Sequence, residues 1–190
     1  MVQDYRSNGE GMVSLGIASM FLDRLNARLK QFVRRCRHAP GGRVTAIFVA
    51  NAAGAPMRAC EQALALVDQG LSEDRYALGR GFWRLADGCQ VTLILAENLQ
   101  RAERRHRMPL DAGQHRRNLV VSGLVGVELR GRSLRIGEAL LTWHRVRPPC
   151  GYLDRVAGAG MAKALGRYGG HCLRVREGGL IRVGDEVIVV

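Results

Sequence analysis

The stretch SLRIGEALLTWHRV (133–146) decides the fold class of this chain. It contains two segments of strand length, Ser133–Ile136 and Ala139–Val146, which are separated only by Gly137 and Glu138. A two-residue connection that begins with glycine is typical of a hairpin. The stretch therefore predicts a β-hairpin as one building block of the fold.

Segments of the same kind lie on both sides of this hairpin. They are short, and most are rich in β-branched residues: Arg43–Ala50, Gln90–Leu95, Asn118–Ser122, His171–Arg176 and Glu186–Val190. Helical patterns are fewer and cover Ala96–His106 and Met161–Tyr168. The 24 glycines spread among these strands favour a mainly β barrel or sandwich with a few peripheral helices over a parallel α/β sheet.

The first part of the chain differs in pattern, so we divide the chain into an N-terminal extension at 1–42 and a domain at 43–190. Apolar residues at steps of three and four along 21–36 predict an amphipathic helix whose other face is basic. Such a helix suits contact with a membrane surface, or packing on its own domain or a dimer mate. The sequence has no positive leader followed by an A-x-A cleavage site, so we expect a cytoplasmic protein without a signal peptide.

The charge balance predicts an anionic partner. Lys and Arg total 29 against 17 Asp and Glu, which gives a net charge of +12, and only Lys30 and Lys163 are lysine. Guanidinium groups grip phosphate and carboxylate bidentately, so nucleic acid, anionic lipid and phosphorylated small molecules are the candidate classes. Aromatic residues are only 5%, and none lies in the arginine-rich stretch 101–117, so a stacking platform for nucleic acid is disfavoured.

The most distinctive segment is RVRPPC (145–150). Two prolines force a stiff, extended exit from a basic strand and display the Cys150 thiol at its end. His144, Arg145 and Arg147 would favour the thiolate, which is both the nucleophile and the metal ligand. The alternative is a small buried residue that follows a strand.

A second candidate segment is QHRRN (114–118), at the entry to a predicted strand. If Arg116 and Arg117 already belong to that strand, they point to opposite faces, so that one faces a pocket and the other faces solvent. An arginine together with Asn118 is a plausible grip for a phosphate or a pterin amide. The alternative is a solvated run of charge.

The other cysteines carry a weaker signal. The chain has five cysteines and no CxxC pair, which indicates free thiols in a reducing compartment. We interpret Cys60, Cys89 and Cys172 as core residues. No spacing requires a metal site built from His144, Cys150, His171 and Cys172. The sequence also contains no P-loop, GxSxG or HExxH motif.

Seven segments of the chain, in order, resemble the MOSC domain, the C-terminal domain of molybdenum cofactor sulfurases, in its small free-standing bacterial form. They are RVTAIFVANAAGAPM (43–57), GLSEDRYALGRGFWR (70–84), QVTLILAENL (90–99), QHRRNLVVSGL (114–124), LRGRSLRIGEALL (129–141), RPPCGYLD (147–154) and GGLIRVGDEV (178–187). The resemblance implies a β-rich barrel with a few peripheral helices.

The resemblance also implies a set of site residues. Cys150 would be the reactive residue, which either carries a sulfane sulfur as a persulfide or ligates molybdenum. Arg116, Arg117 and Asn118 would hold the anionic pterin of the molybdenum cofactor, and we add Arg147 beside Cys150. A soft thiolate suits molybdenum, and arginine suits the pterin phosphate.

Several functions stay open on this resemblance. The parent sulfurase makes sulfur on a separate pyridoxal-phosphate domain; this chain has no counterpart, so a cofactor-binding or sulfur-carrier protein would need a partner cysteine desulfurase. An alternative is a molybdenum-dependent reductase of N-hydroxylated compounds, with electrons from a separate reductase partner. A third is a basic module for nucleic acid or anionic membranes on the same scaffold.

One position departs from the family pattern. The family usually has Gly-Asp-Arg where this chain has Glu73, Asp74 and Arg75. Because glycine commonly serves a left-handed backbone position, we expect a changed backbone at Glu73.

Overall fold

A computed structural model of the chain describes residues 41–82, 88–110 and 112–190. The amphipathic helix expected along 21–36 lies outside these residues. Within them, no helix is long and apolar enough to cross a membrane.

The described residues form eleven strands and three α-helices. The strands are β1 (Gly42–Val49), β2 (Arg58–Cys60), β3 (Gln62–Leu66), β4 (Gly70–Leu71), β5 (Val91–Leu95), β6 (Leu119–Ser122), β7 (Ser133–Ile136), β8 (Ala139–Val146), β9 (His171–Glu177), β10 (Gly179–Arg182) and β11 (Glu186–Val189). The helices are α1 (Ala96–His106), α2 (Gly151–Ala157) and α3 (Met161–Leu165), and a 3₁₀ turn at Gly166–Tyr168 follows α3.

Seven strands close into a barrel in the order β11-β7-β8-β9-β5-β6-β1, because β1 also pairs with β11. The pairing of Gly42 with Val187 belongs to this closure. All pairs in the barrel are antiparallel except β5 with β6, which α1 connects as a crossover. Strand β2 extends the sheet beside β1, and β10, β3 and β4 form a separate small sheet.

The alternation of side chains along the strands separates two apolar clusters. On β5, Val91, Leu93 and Leu95 belong to the larger cluster, which the barrel strands share. Ile94 points the other way and packs with the helices in the second cluster. Every residue of β5 is buried because both of its faces are covered.

The second cluster joins the helices to one side of the barrel. It combines Phe48, Ile94 and Val120 from β1, β5 and β6 with Leu99 and Ala102 of α1, Leu110, Leu153 of α2, and Met161 and Leu165 of α3. The helices are therefore amphipathic covers for three neighbouring strands.

The mainly β barrel with a few peripheral helices is confirmed. The hairpin of β7 and β8 has the bounds expected from its sequence, and so does α1. The expected helix at Met161–Tyr168 is α-helical only to Leu165, because Gly166 adopts a left-handed φ of 47° and a 3₁₀ turn follows.

The sequence patterns missed β2, β3, β4, β10 and α2. The residues of β3 (QALAL) have helix-favouring composition, and β3 is a strand because it pairs with the distant strand β10. Tertiary pairing of this kind overrides local propensity.

Candidate functional site

A pocket that opens to solvent lies beside the segment that follows β8. Its lining residues include four arginines and one cysteine, which we call the arginine pocket: Arg75, Arg116, Arg117, Arg147 and Cys150. The remaining lining residues are Ala53, Tyr76, Phe82, Pro148, Pro149, Tyr152 and Leu153. Among the residues that the structure describes, the lining includes four guanidinium groups and no carboxylate, so this wall of the pocket favours anions.

The segment between β8 and α2 places Cys150 at this pocket. The backbone N–H of Arg147 donates to the carbonyl oxygen of Gly170 at 2.8 Å, which fixes the start of the segment. Pro148 and Pro149 then restrict the backbone to extended conformations. Cys150 itself is extended, with a φ of −141°, and its side chain is half-buried in the pocket wall.

Gly169 lets two parts of the site approach each other. A Cβ atom at this position would lie 2.5 Å from the carbonyl oxygen of Arg147 and 2.6 Å from Cδ of Pro149. The carbonyl oxygen of Gly169 accepts a hydrogen bond of 2.5 Å from Nε of Arg117. One glycine therefore contacts both the cysteine segment and the most buried arginine of the pocket.

Arg116 and Arg117 both line the pocket, and neither belongs to β6, so the condition under which they would point to opposite faces is not met. The reason is the backbone of Arg116, which has a left-handed φ of 57°, while β6 begins only at Leu119. Strand alternation does not apply to such a residue. A turn bond from the Arg116 N–H to the Gly113 carbonyl at 2.8 Å holds this conformation.

Arg117 is buried and has an unused hydrogen-bond donor. Its side chain donates from Nε to Gly169 and from Nη1 to the carbonyl oxygen of His115 at 3.0 Å. Its Nη2 atom is buried without a hydrogen-bond partner in the part of the chain that the structure describes. Burial, followed by repulsion from Arg147, lowers the pKa of Arg117 to about 10, so the guanidinium stays charged at neutral pH.

Arg75 is held by a buried carboxylate. Asp74 is fully buried, and its Oδ1 accepts hydrogen bonds of 3.0 Å from Nη1 of Arg75 and from the N–H of Ala50. Its Oδ2 accepts from the N–H of Tyr76 at 3.2 Å. Nη2 of Arg75 donates to the carbonyl oxygen of Arg116 at 3.3 Å. This network ties the 74–76 loop to the turn before β6.

Arg116 completes the cationic wall. Its Nη1 donates to the carbonyl oxygen of Ala55 at 2.7 Å. Burial and then repulsion from Arg75 lower the pKa of Arg116. Both causes penalise its positive charge, and a nearby anion would offset the second.

Aromatic side chains form the rest of the wall. Nη2 of Arg147 donates to the hydroxyl of Tyr76 at 3.2 Å. Burial raises the pKa of Tyr76, so its phenol is neutral at neutral pH. Phe82 and Tyr152 stack with ring centroids 4.1 Å apart and an interplanar angle of 18°.

Asn118 lies outside the pocket lining and supports the barrel. Its Oδ1 accepts from the backbone N–H of Thr92 at 3.1 Å and from the Thr92 hydroxyl at 2.7 Å. Its Nδ2 donates to the carbonyl oxygen of Phe48 at 3.0 Å. The amide therefore joins β1 and β5 at the start of β6 and is engaged within the protein.

His144, Cys150, His171 and Cys172 form no metal cluster among the described residues. Across the described ranges, no three His, Cys, Asp or Glu side chains come together in a cluster that could hold a metal ion. Nδ1 of His171 accepts a hydrogen bond of 3.2 Å from Nε1 of Trp143. His144 and Arg145 are not among the pocket-lining residues, whereas Arg147 is.

The backbone at Glu73 is not changed in the way expected. Glu73 has a left-handed φ of 62°, which is the conformation that glycine favours. Its carboxylate pairs with Nη2 of Arg58 at 2.5 Å on the surface. The side chain thus points to solvent, and the turn that positions Asp74 keeps a glycine-like form.

Sequence reasoning from single residues did not select Asp74, Arg75 and Tyr76 as site residues. They lie in the segment 70–84, which contributed to the family resemblance. The presence of an acidic and a basic residue side by side in that segment is the signal that could have identified them.

Comparisons with known proteins agree with this architecture. The family model described as the MOSC domain matches residues 83–188, which is more than half of the chain. The structure is similar to YuaD from Bacillus subtilis, with a TM-score of 0.65 and 15% identity over 78% of this chain and 95% of that one. No match was found among curated proteins.

Two other solved structures share the fold. YiiM from Geobacillus stearothermophilus has a TM-score of 0.58 and 17% identity, over 78% of this chain and 75% of that one. YiiM from Escherichia coli has a TM-score of 0.56 and 18% identity, over 78% of this chain and 69% of that one. At these identities the likeness establishes the fold.

Proposed function

The chain belongs to the MOSC domain family, and from this premise we propose that it binds the molybdenum cofactor in the arginine pocket and presents Cys150 to it. The buried and unpartnered Nη2 of Arg117 carries this proposal. A buried N–H donor without an acceptor is costly and rare in native proteins, and an anionic ligand would remove that cost.

The residues present fit the anionic part of this cofactor. Four guanidinium groups line the pocket, and Asp74, which neutralises one of them, is fully buried beneath Arg75. Arginine forks match the geometry of phosphate oxygens.

The residues also fit the sulfur chemistry of the cofactor. Cys150 is the pocket-lining thiol, and thiolate sulfur is a soft donor that suits molybdenum. When bound, the cofactor would supply a metal centre able to exchange electrons and an oxygen or sulfur atom. The protein's own part is to hold the anion with Arg117 and Arg147, to keep the Tyr76 phenol protonated, and to present Cys150.

Cys150 has two modes of action within this proposal. In the first it ligates the metal directly. In the second it is a sulfur carrier: the Cys150 thiolate attacks the outer sulfur of a persulfide on a partner cysteine desulfurase, the partner thiolate leaves, and Cys150 holds the sulfane sulfur. The chain has only two lysines, Lys30 and Lys163. In this mode, the pyridoxal-phosphate chemistry that releases the sulfur therefore belongs to the separate desulfurase.

The test is the content of molybdenum and oxidised pterin in protein purified from a host that makes the cofactor. The wild-type protein should contain about one molybdenum atom and one pterin per chain. Arg117→Gln should lose pterin and molybdenum together, whereas Cys150→Ser should keep pterin and lose molybdenum if Cys150 is the ligand. Cys60→Ser is the matched control, because Cys60 lies on β2 and is not a pocket-lining residue.

The sulfur-carrier mode gives a different result in the same samples. Incubation with a cysteine desulfurase and cysteine should add one sulfur atom to the intact mass of wild type and of Cys60→Ser, and none to Cys150→Ser. Wild-type protein that contains neither pterin nor molybdenum, and that gains no sulfur, would contradict the proposed function.

A further inference from the structure

The outer surface of the helices carries positive charge that the proposed function does not use. We call the segments 96–110 and 151–168, which contain α1, α2, α3 and the 3₁₀ turn, the helical layer. Seven lysines and arginines of this layer are exposed: Arg101, Arg104, Arg105, Arg107, Arg155, Lys163 and Arg167. Among the described residues, none of the seven belongs to an ion pair.

The carboxylates of the helical layer are engaged by the backbone instead. There are three, and each accepts a hydrogen bond from a backbone N–H: Glu97 from Gly123 at 2.7 Å, Glu103 from Leu110 at 3.0 Å, and Asp154 from Ala162 at 2.6 Å. All three are partly buried. The exposed cations of the layer are therefore left without a direct counter-charge from within it.

The strands of the domain treat several of their exposed arginines differently. Three of these arginines pair with glutamates: Arg58 with Glu73, Arg135 with Glu177, and Arg182 with Glu138. Exposed pairs of this kind add little stability, but they cancel charge. The helical layer has no such pair among the described residues, so its positive charge stays open to an outside partner.

Two cations of the layer are held at one aromatic ring. Cζ of Arg101, on α1, lies 5.0 Å from the centroid of the Tyr168 ring, and Cζ of Arg167 lies 4.9 Å from it. Nη2 of Arg167 also donates to the Tyr168 hydroxyl at 2.7 Å. Tyr168 thus orients guanidinium groups from two elements of the layer, and an anionic group that bridges them would offset their repulsion.

The helical layer adjoins the arginine pocket. Helix α2 begins at Gly151, directly after Cys150. Tyr152 lines the pocket, and Cζ of Arg155 lies 5.6 Å from the centroid of its ring. Helix α3 packs against both α2 and α1. Exposed positive charge therefore extends from the wall of the pocket over α2 and α3 to α1.

We propose that the helical layer is the docking surface for an acidic face of the protein that reacts with Cys150. The inference rests on the proposed function, in which Cys150 takes sulfur from a partner. Surfaces of opposite charge speed the encounter of two proteins and fix their relative orientation. A partner docked on the helices lies beside the pocket, because α2 begins at the residue after Cys150.

Two other anionic partners fit the layer less well. A helical face that enters a membrane needs exposed apolar side chains, and the large exposed apolar residues of the described chain all lie outside the layer. Single-stranded nucleic acid needs aromatic faces on which bases stack. The rings of the layer are already engaged, since Tyr152 stacks with Phe82 and Tyr168 contacts two guanidinium groups. An acidic protein surface requires neither feature.

The experiment measures how fast Cys150 of the full-length chain reacts with a charged surrogate of the partner. The probe is a peptide of ten glutamates followed by a cysteine that carries a thionitrobenzoate disulfide, and its neutral counterpart has ten glutamines. The Cys150 thiolate attacks the peptide sulfur, a mixed disulfide forms, and thionitrobenzoate leaves and is followed by absorbance. Peptide mapping identifies the product at Cys150, and Cys150→Ser gives the background rate.

The wild-type protein should react about 10-fold faster with the glutamate probe than with the glutamine probe at low salt, as electrostatic steering predicts. This difference should disappear near 1 M salt, where screening acts beyond about 3 Å. The double variant Arg104→Gln, Arg105→Gln should lose most of the difference. The matched control is Arg135→Gln, Arg182→Gln, which removes the same charge from strands and should keep the difference. Uncharged iodoacetamide should alkylate Cys150 equally fast in all of these proteins.

Three results would overturn the proposal. Equal rates for the two probes would mean that the layer does not steer an acidic chain. Equal losses in the two double variants would mean that net charge acts without regard to position. Binding of duplex DNA or phosphatidylserine vesicles at about 0.15 M salt, abolished by the α1 double variant while the probe rates are unchanged, would assign the layer to another class of partner.

Failure of the proposed function gives a different pattern. The molybdenum and pterin contents depend on the arginine pocket, so the α1 double variant should keep the wild-type contents. Wild-type protein without molybdenum and pterin would count against cofactor binding and would leave the probe rates as they are. The two proposals are therefore tested separately in the same set of proteins.

Discussion

Nη2 of Arg147 donates a hydrogen bond of 3.2 Å to the hydroxyl of Tyr76, and this bond joins the cysteine segment to the 74–76 loop. Arg147 stands three residues before Cys150, whereas Tyr76 comes from the loop that Asp74 anchors. The two halves of the pocket wall are therefore connected through a phenol.

Tyr76→Phe should weaken this connection. The substitution removes an acceptor from a partly buried guanidinium, and a lost hydrogen bond to a charged group costs about 1.5–3 kcal/mol. The free energy of unfolding, measured by urea denaturation, should fall by about 1.5–3 kcal/mol. The dependence of this free energy on urea concentration should not change. Tyr168→Phe is the control, because the Tyr168 hydroxyl accepts from Arg167 on the surface and its loss should leave stability nearly unchanged.

Asp74→Asn should be far more destabilising than its small change in shape suggests. Asp74 is fully buried with Arg75, and removal of one partner leaves a buried charge without compensation. Such changes cost about 3–5 kcal/mol. The matched control is Glu73→Gln, since Glu73 pairs with Arg58 in solvent and exposed pairs contribute about 0–1 kcal/mol. Equal losses in the two variants, measured by urea denaturation, would contradict the role given to Asp74.

Gly169→Ala should disturb the cysteine segment. The new Cβ would lie 2.5 Å from the Arg147 carbonyl oxygen, so the segment that ends at Cys150 must move. Overpacking of this kind costs about 1–3 kcal/mol, and we expect the rate of Cys150 alkylation in the native protein to change with it. Gly151→Ala is the control, because nothing lies within 4 Å of a Cβ at that position. An unchanged alkylation rate in Gly169→Ala would show that the segment tolerates the contact.

Stability should fall as the pH drops below about 6.5 because of His115. Burial, followed by the positive charge of Arg117, lowers the pKa of His115 to about 3. The unfolded chain takes up a proton near its ordinary pKa of 6.5 and the folded chain does not, so protons favour unfolding between about pH 6.5 and about pH 3. The slope contributed by this one group approaches about 1.4 kcal/mol per pH unit.

His115→Gln removes the titrating group and should flatten this part of the pH profile. The measurement is the urea midpoint of both proteins at several pH values across the window. Parallel profiles for wild type and variant would mean that His115 is not neutral in the folded protein, or that another group causes the loss. Nδ1 of His115 accepts from the N–H of Arg117 at 3.0 Å, which is a bond that the glutamine oxygen can replace.

Local sequence pattern predicted the barrel strands well because each carries its own information. The β7–β8 hairpin has a glycine turn, and β5 is an unbroken apolar run. Strand β3 lacks such a pattern. Ala65 on β3 pairs with Gly179 on β10, and no local rule connects positions so far apart.

The same contrast between local sequence pattern and tertiary structure applies to the site. Cys150, Arg116, Arg117 and Arg147 were expected from short motifs, and the structure brings all four into one pocket. The convergence of Arg116 with Arg117 was not predictable, because a left-handed φ at an arginine has no signature in the sequence. Asn118 is the opposite case: its amide has the right chemistry to bind a ligand, but its oxygen accepts from Thr92 and its nitrogen donates to Phe48 within the barrel.

The pairing of β1 with β11 sets the order in which this domain can fold. Nη1 of Arg43 at the start of the barrel donates to the carbonyl oxygen of Gly184, and the two residues are 141 positions apart in sequence. Contacts of such long range slow folding, because a large loop must close before they form. During synthesis, the edges of β1 and β7 that pair with β11 would stay unpaired until β11 leaves the ribosome. Those edges are templates for pairing with other chains, so nascent copies of this protein are exposed to edge-to-edge aggregation until the barrel closes.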